Sequence, residues 1–149
     1  MLHTVRGTFQ LKQGHLEFDP AAQSISGDVV IDATSGNSGS TGRDRRMHQQ
    51  VLESERYPEI RFTPTKITGT VSSTSNSAVM VTGMFEIHGQ RHEITIPMDV
   101  RVVGDRVTAR GKFVVPYVAW GMKDPSNFLL KVEKKVTIEI LAEGRITGL

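Results

Sequence analysis

The sequence predicts an all-β chain: about eight short antiparallel strands in a meander that closes into a barrel or sandwich, with one short capping α-helix. Two observations carry this. Apolar and polar residues alternate at period two through most of the chain, as on strands with one wet and one dry face. Tight-turn signals separate the runs, among them His88-Gly89-Gln90 and Gly104-Asp105. A third observation marks the exception: Ser35 to Phe62 opens as a Gly/Ser loop and becomes a short helical run that stops at Tyr57-Pro58.

Taken in order, Thr4 to Leu11 reads as a strand with Phe9 and Leu11 on one face. Lys12-Gln13-Gly14 turns it, and His15 to Phe18 returns until Asp19-Pro20 stops it. Ile25, Val29, Ile31 and Ala33 share a parity opposite to Ser26, Asp28 and Asp32. In the helical run, Thr41 with Asp44 supplies a side-chain oxygen and an acid for the first turn. Met47, Val51 and Leu52 form a narrow apolar stripe, while Arg43, Arg45, Arg46, His48, Gln49 and Gln50 face water. So small a stripe suits a lid over one end of a barrel. Ile60 and Phe62 share a face that Ile67 does not, which predicts a bulge near Pro64. Ser72 to Ser77 is a hairpin loop. Val79, Val81, Phe85 and Ile87 alternate, as do Ile94 through Val102 and Val107 through Tyr117. Beyond the Trp120-Gly121 loop, Phe128, Leu130 and Val132 predict another strand, and Val136, Ile138, Ile140 and Ala142 the last. Gly83, Ala109 and Gly111 lie on the inward parity; they either leave internal space or accommodate sheet curvature.

At 149 residues the chain is one domain, 1–149, with room for a real core. A net charge of +2 argues against a nucleic-acid surface, and the absence of cysteine excludes disulfides, thiolate metal sites and Cys nucleophiles. No run is long and apolar enough to span a bilayer, and Met1-Leu2-His3 leads directly into strand-like sequence without a signal-peptide core. Either the chain is a trimmed form, or it starts at Met1 and stays in the cytoplasm.

Several segments then carry a resemblance. They are His3-Thr4-Val5-Arg6-Gly7-Thr8-Phe9, the Gly27-to-Ser35 strand end, Gly42-Arg43-Asp44, and Tyr57-Pro58-Glu59-Ile60-Arg61-Phe62. Gly83 to Gly89 and the closing Val136-Thr137-Ile138-Glu139-Ile140 complete the set. With these, nearly the whole chain resembles the YceI-like family of lipid-binding, lipocalin-like barrels. The resemblance implies an antiparallel barrel whose apolar interior holds a polyisoprenoid or isoprenoid quinone, in a bacterial protein that is periplasmic or secreted. The chain departs from the family in showing no export signal and no counterpart of the usual first strand. A missing strand would leave an unpaired edge, a route to a homodimer.

Inward parities supply Phe62, Phe85, Ile87, Ile94, Met98, Val100, Phe113 and Tyr117, with Trp120 near a mouth. Two readings of these residues stay open: a wall for a long apolar ligand, or side chains that fill the barrel themselves. The resemblance favours the first, non-enzymatic carriage of a lipid. The alternative is a stress-related or scaffold module that binds proteins with a filled interior. Arg43 and Arg46 are either a solvated cap face or partners for a head group at the mouth. No catalytic or metal residue is assigned. His88 and His92 flank a turn without a third ligand at distinctive spacing and read as surface histidines. No nucleophile elbow or phosphate loop is present. No cofactor is expected beyond a bound isoprenoid lipid or quinone.

Overall fold

A computed structural model describes residues 5–19, 21–126 and 132–146. Seven antiparallel strands form one sheet in sequence order, curled into a half-barrel. They are β1 (Leu11–Asp19), β2 (Ser24–Asp32), β3 (Glu59–Thr68), β4 (Ser77–Ile87), β5 (Gln90–Val103), β6 (Arg106–Val115) and β7 (Val136–Arg145). Each strand pairs with the next, and among the described residues β1 and β7 are edges that do not pair with each other. The expected lipocalin-like architecture is present. Its opening along one side is what parity in sequence could not show.

Two hairpins follow directly from their turn residues. His88 and Gly89 both have positive φ, 54° and 72°, which is the backbone a two-residue turn between twisted strands requires. Gly104, at φ 62°, turns β5 into β6. The bulge expected near Pro64 is there: the β3–β4 register slips between Pro64 and Lys66 and returns Ile67 to the core. Pro64 has no N–H to lose from the ladder, so the break is cheapest at this point.

The N-terminal expectation is corrected. Over its described part, Thr4 to Leu11 is not a strand up to Leu11; it joins the fold through an isolated bridge, Thr8 to Asn37, and through Gln10, whose carbonyl accepts from the Asp32 amide and whose amide donates to the Ser35 hydroxyl. Lys12-Gln13-Gly14 does not turn the chain. It runs inside β1, where the register slips between Leu11 and Gln13. Pairing with β2 from Gln13 to Asp19 outweighs a weak Gln-Gly turn signal, and what reads as a turn is a bulge. The real turn comes later, where the Asp19 carboxylate accepts from the Ala21 and Ala22 amides at 3.0 and 3.3 Å. Seven strands are described where about eight are expected. The strand expected through Phe128 and Leu130 lies outside the described residues, and Val132 is not in a strand.

Between β2 and β3, α1 (Thr41–Arg46) continues into a π turn at Met47–Val51. Its N-cap is Ser40, not Thr41: the Ser40 hydroxyl accepts from the Arg43 amide at 3.4 Å. Asp44 is drawn instead to Ser38, whose amide and hydroxyl donate to it at 3.0 and 2.5 Å. Arg43 closes the same knot, with Nε 3.0 Å from the Ser38 hydroxyl. The π turn, sealed by Leu52 N–H to the Met47 carbonyl at 2.8 Å, lets Met47, Val51 and Leu52 all reach the sheet. His48 is half-buried and not freely solvated. Its Nε2 lies 3.1 Å from the Gly36 carbonyl, with Ser54 Oγ 3.2 Å from Nδ1.

The Ser38 hydroxyl holds the Asp44 carboxyl below the ordinary aspartate value of 3.8. A lowered folded-state pKa means the stabilisation is present above that ordinary value and is lost as pH falls through the lower one. Asp44→Asn should therefore cost stability at neutral pH, with the gap to wild type shrinking as the pH drops below 3.8. Thermal melts across an acid series would show it; a gap of unchanged size at low pH would mean the charge contributes nothing.

Two apolar clusters occupy the concave side. One, at the cap end, holds Ala33, Val51, Leu52, Ile60, Phe85, Ile87, Val115, Tyr117 and Met122. The other holds Ile67, Val79, Val100 and Val102. The helical segment does lid one end, as its small stripe implies.

Candidate functional site on the concave face

The cap is fastened to the sheet by the same segments that carry the family pattern. Tyr57 lies over Gly89, where an added Cβ would come within 2.6 Å of its ring, and its edge meets His88 at a centroid distance of 4.8 Å. Glu53 reaches the His88 ring at 2.5 Å. Arg61 pairs outward with Asp28 across β2 and β3. Asp32 accepts from the Thr34 amide at 2.9 Å and its hydroxyl at 2.5 Å. Gly36 sits beneath Met47 and Phe9. The Tyr57, Glu53–His88 and Gly36–Met47 contacts hold the lid in place, while Arg61–Asp28 and Asp32–Thr34 tie β2 to β3 and fix the end of β2.

Inside that lid the face is aromatic. Phe85 meets Phe113 edge-on, with centroids 5.4 Å apart and planes 78° apart, and Trp120 at 6.0 Å. Trp120 is presented by a tight turn in which its amide donates to the Pro116 carbonyl at 3.0 Å and the Met122 amide to that of Tyr117 at 3.0 Å. Buried Tyr117 and Met122 anchor this turn, and the Tyr117 hydroxyl donates to the Glu133 carbonyl. Burial, with the Asp124 charge second, pushes the Tyr117 phenol above its ordinary value.

The nine expected wall residues separate into two groups. Phe85, Ile87 and Tyr117 are buried in the cap-end cluster, and Val100 is buried in the far one. Phe62, Ile94, Phe113 and Trp120 are half-buried against the first cluster, and Met98 against the second. Gly83 and Gly111 do not leave voids. An added Cβ at Gly83 would lie 2.7 Å from the Phe62 ring, and one at Gly111 would lie 2.2 Å from the Met98 sulfur. Each glycine makes room for a neighbouring side chain to lie on the sheet.

Along the open side, parity continues the apolar face to both edges. Leu16 pairs with Gly27 and Phe18 with Ile25, on the face that packs on the far cluster. Ile138 and Ile140 lie opposite Phe113 and Gly111. Leu16 is 48% exposed, so the apolar face is not closed over at the β1 edge.

Of the two cap arginines, Arg43 is engaged with Ser38, its guanidinium also reaching the Ser38 carbonyl at 3.3 Å. Arg46 is exposed at the end of α1 and makes no ion pair among the described residues. A surface hollow of about 610 Å³ on the lid includes Arg45, His48, Glu53 and Arg56 instead.

Sequence reasoning misplaced both turn histidines: the His88 side chain is only 15% exposed and meets Glu53, and His92 departs further. It is not a surface turn histidine: its ring stacks on Trp120 with centroids 3.8 Å apart and planes 6° from parallel. Its Nε2 is buried without a hydrogen-bond partner among the described residues. The signal was available, because His92 shares parity with Ile94 and Ile96, but proximity to the turn concealed it. Among the described residues no group of three His, Asp or Glu side chains could hold a metal ion. No described helix is long and apolar enough to cross a membrane.

Solved structures share this architecture. The Campylobacter jejuni YCEI protein matches with a TM-score of 0.81 at 18% identity, covering 99% of this chain and 88% of that one. Burkholderia cenocepacia BcnA matches at 0.73 and 20% identity, over 93% and 84% of the two chains. A polyisoprenoid binding domain from Saccharophagus degradans, implicated in plant cell wall breakdown, matches at 0.67 and 18% identity, over 82% and 77%. At these identities the likeness is one of fold. No curated protein matches the sequence. The YceI-like domain matches residues 1–144, nearly the full length, and the chain belongs to that family.

Proposed function

We propose that this protein binds a long apolar lipid of the polyisoprenoid or isoprenoid quinone class along its concave face and carries it without chemical change. One observation bears most of the weight: Phe62, Ile94, Met98 and Phe113, on the apolar face of the half-barrel, pack against the two core clusters but remain partly exposed. Soluble proteins bury such side chains unless something else covers them. A prenyl chain burying about 400 Å² of apolar surface there would gain roughly 10 kcal/mol gross at about 25 cal/mol per Å². Association and ordering costs leave a smaller net affinity. The polyisoprenoid binding domain of similar fold supports the ligand class, and an extracytoplasmic, periplasmic location suits a carrier crossing water between membranes.

Protein purified from its own host should release a prenyl lipid on organic extraction, detected by mass spectrometry. Met98→Glu, which puts a charge on the trough floor, should weaken binding of added prenyl quinone about tenfold or more. No lipid in the extract, together with no binding of added quinone or prenyl alcohol, would sink the carrier reading.

A second reading has its own support. Leu11 on β1 and Leu141 on β7 are 62% and 59% exposed on the two unpaired edges. Such edges can pair with another copy or a partner protein. Concentration-dependent self-association in sedimentation would favour that reading, and a strict monomer would remove it.

A further inference from the structure

On an apolar face, His92 is out of place. It projects from β5 opposite Phe85 and two residues from Ile94, and the chain's only tryptophan lies flat against it. Buried polar atoms in folded proteins almost always have a partner, and His92 Nε2 has none among the described residues, which points to a group that completes it. Phe85, Phe113 and Trp120 surround this end of the trough with hydrocarbon, so the missing partner belongs to a molecule that is apolar elsewhere.

We infer that His92 and Trp120 form the head-group subsite of the trough, where His92 Nε2 hydrogen-bonds one neutral oxygen, a hydroxyl or ring carbonyl, at the end of the bound lipid. The inference rests on the carrier reading and adds to it where the polar end sits and which chemistry it takes. Imidazole suits both oxygens, since Nε2 accepts from a hydroxyl in one tautomer and donates to a carbonyl in the other. A phosphate wants several donors and positive charge, whereas the group stacked on this imidazole is an indole. The hydrocarbon chain then follows Ile94 and Met98 along β5, the two half-buried positions beyond His92 on the same face. Because Nε2 is covered, side chains over it must give way when the oxygen arrives, and the stacked indole senses that change.

The test compares farnesol with farnesene, the same chain with and without a hydroxyl, by titrating Trp120 fluorescence in the full chain. Wild type should bind farnesol roughly three- to tenfold tighter than farnesene, the range one neutral hydrogen bond supports. His92→Phe, which keeps an aromatic ring against Trp120, should lose the preference and bind the two compounds within about twofold of each other. His92→Gln should recover part of it, a result that a merely structural role for the ring would not produce. Equal affinities in wild type, or an undiminished preference in either His92→Phe or a folded His92→Ala, would overturn the assignment. Binding of neither compound by wild type would instead remove the carrier reading and this subsite with it.

Discussion

Phe85→Ala is expected to remove about 4 kcal/mol of stability and lower the melting temperature by roughly 10 °C, with the fold retained. Phe85 is 7% exposed and bridges the cap-end cluster, touching the rings of both Phe113 and Trp120. Its removal takes away the transfer free energy of a whole ring and leaves a hole between strands that pairing holds apart. β4 is paired along its length with both β3 and β5, so the backbone cannot collapse to fill the space. Phe62→Ala, at a half-exposed position, should cost about half as much, because water already reaches part of that ring. Chemical denaturation of both variants checks the contrast. Equal losses would mean that the trough and the core are not distinct, and that the side chains fill the half-barrel themselves.

Gly83→Ala is expected to cost about 3 kcal/mol, an unusual penalty for a single methyl group. The new Cβ would stand 2.4 Å from the Thr63 carbonyl oxygen and 2.7 Å from the Phe62 ring. A ring can swing aside. The carbonyl belongs to the backbone of β3, next to the bulge at Pro64, and must shift the strand to make room. Gly42→Ala is the matched control. It lies in α1, exposed, with nothing within 4 Å of its added Cβ, and should stabilise by about 0.5 to 1 kcal/mol through helix propensity. If both substitutions proved neutral, Phe62 would not be pressed against Gly83 in solution, and the floor of the trough would be looser than described.

These expectations sort the nine residues that parity had placed together. Period-two alternation reports which face a side chain occupies, and it placed Phe62, Phe85, Ile94 and Met98 on one face. It carries nothing about how far the facing wall stands from each of them. Phe85 and Ile87 are closed off because the lid and the Tyr117–Met122 turn descend onto them. Met98 and Ile94 lie farther along and are not covered. Arg43 and Asp44 show the same limit in polar form. Asp44 reads with Thr41 as a helix start and Arg43 as a water-facing side chain, yet Arg43 and Asp44 are both spent on Ser38, a loop residue before the helix. His92 was concealed because a histidine near a turn is usually wet, and only the arrival of Trp120 from a separate loop makes it dry.

By itself the sequence determined the strands from β2 to β7, the bulge at Pro64, the turns at His88-Gly89 and Gly104, and the lid built on Met47, Val51 and Leu52. All of these depend on residues a few positions apart, whose alternation or turn chemistry is written locally. Only the tertiary structure decided that the N-terminal segment bridges a loop, that β1 and β7 stand apart among the described residues, and that an indole stacks on the His92 ring. Those outcomes depend on contacts between distant parts of the chain, where strand pairing and packing compete and no local period records which one prevails.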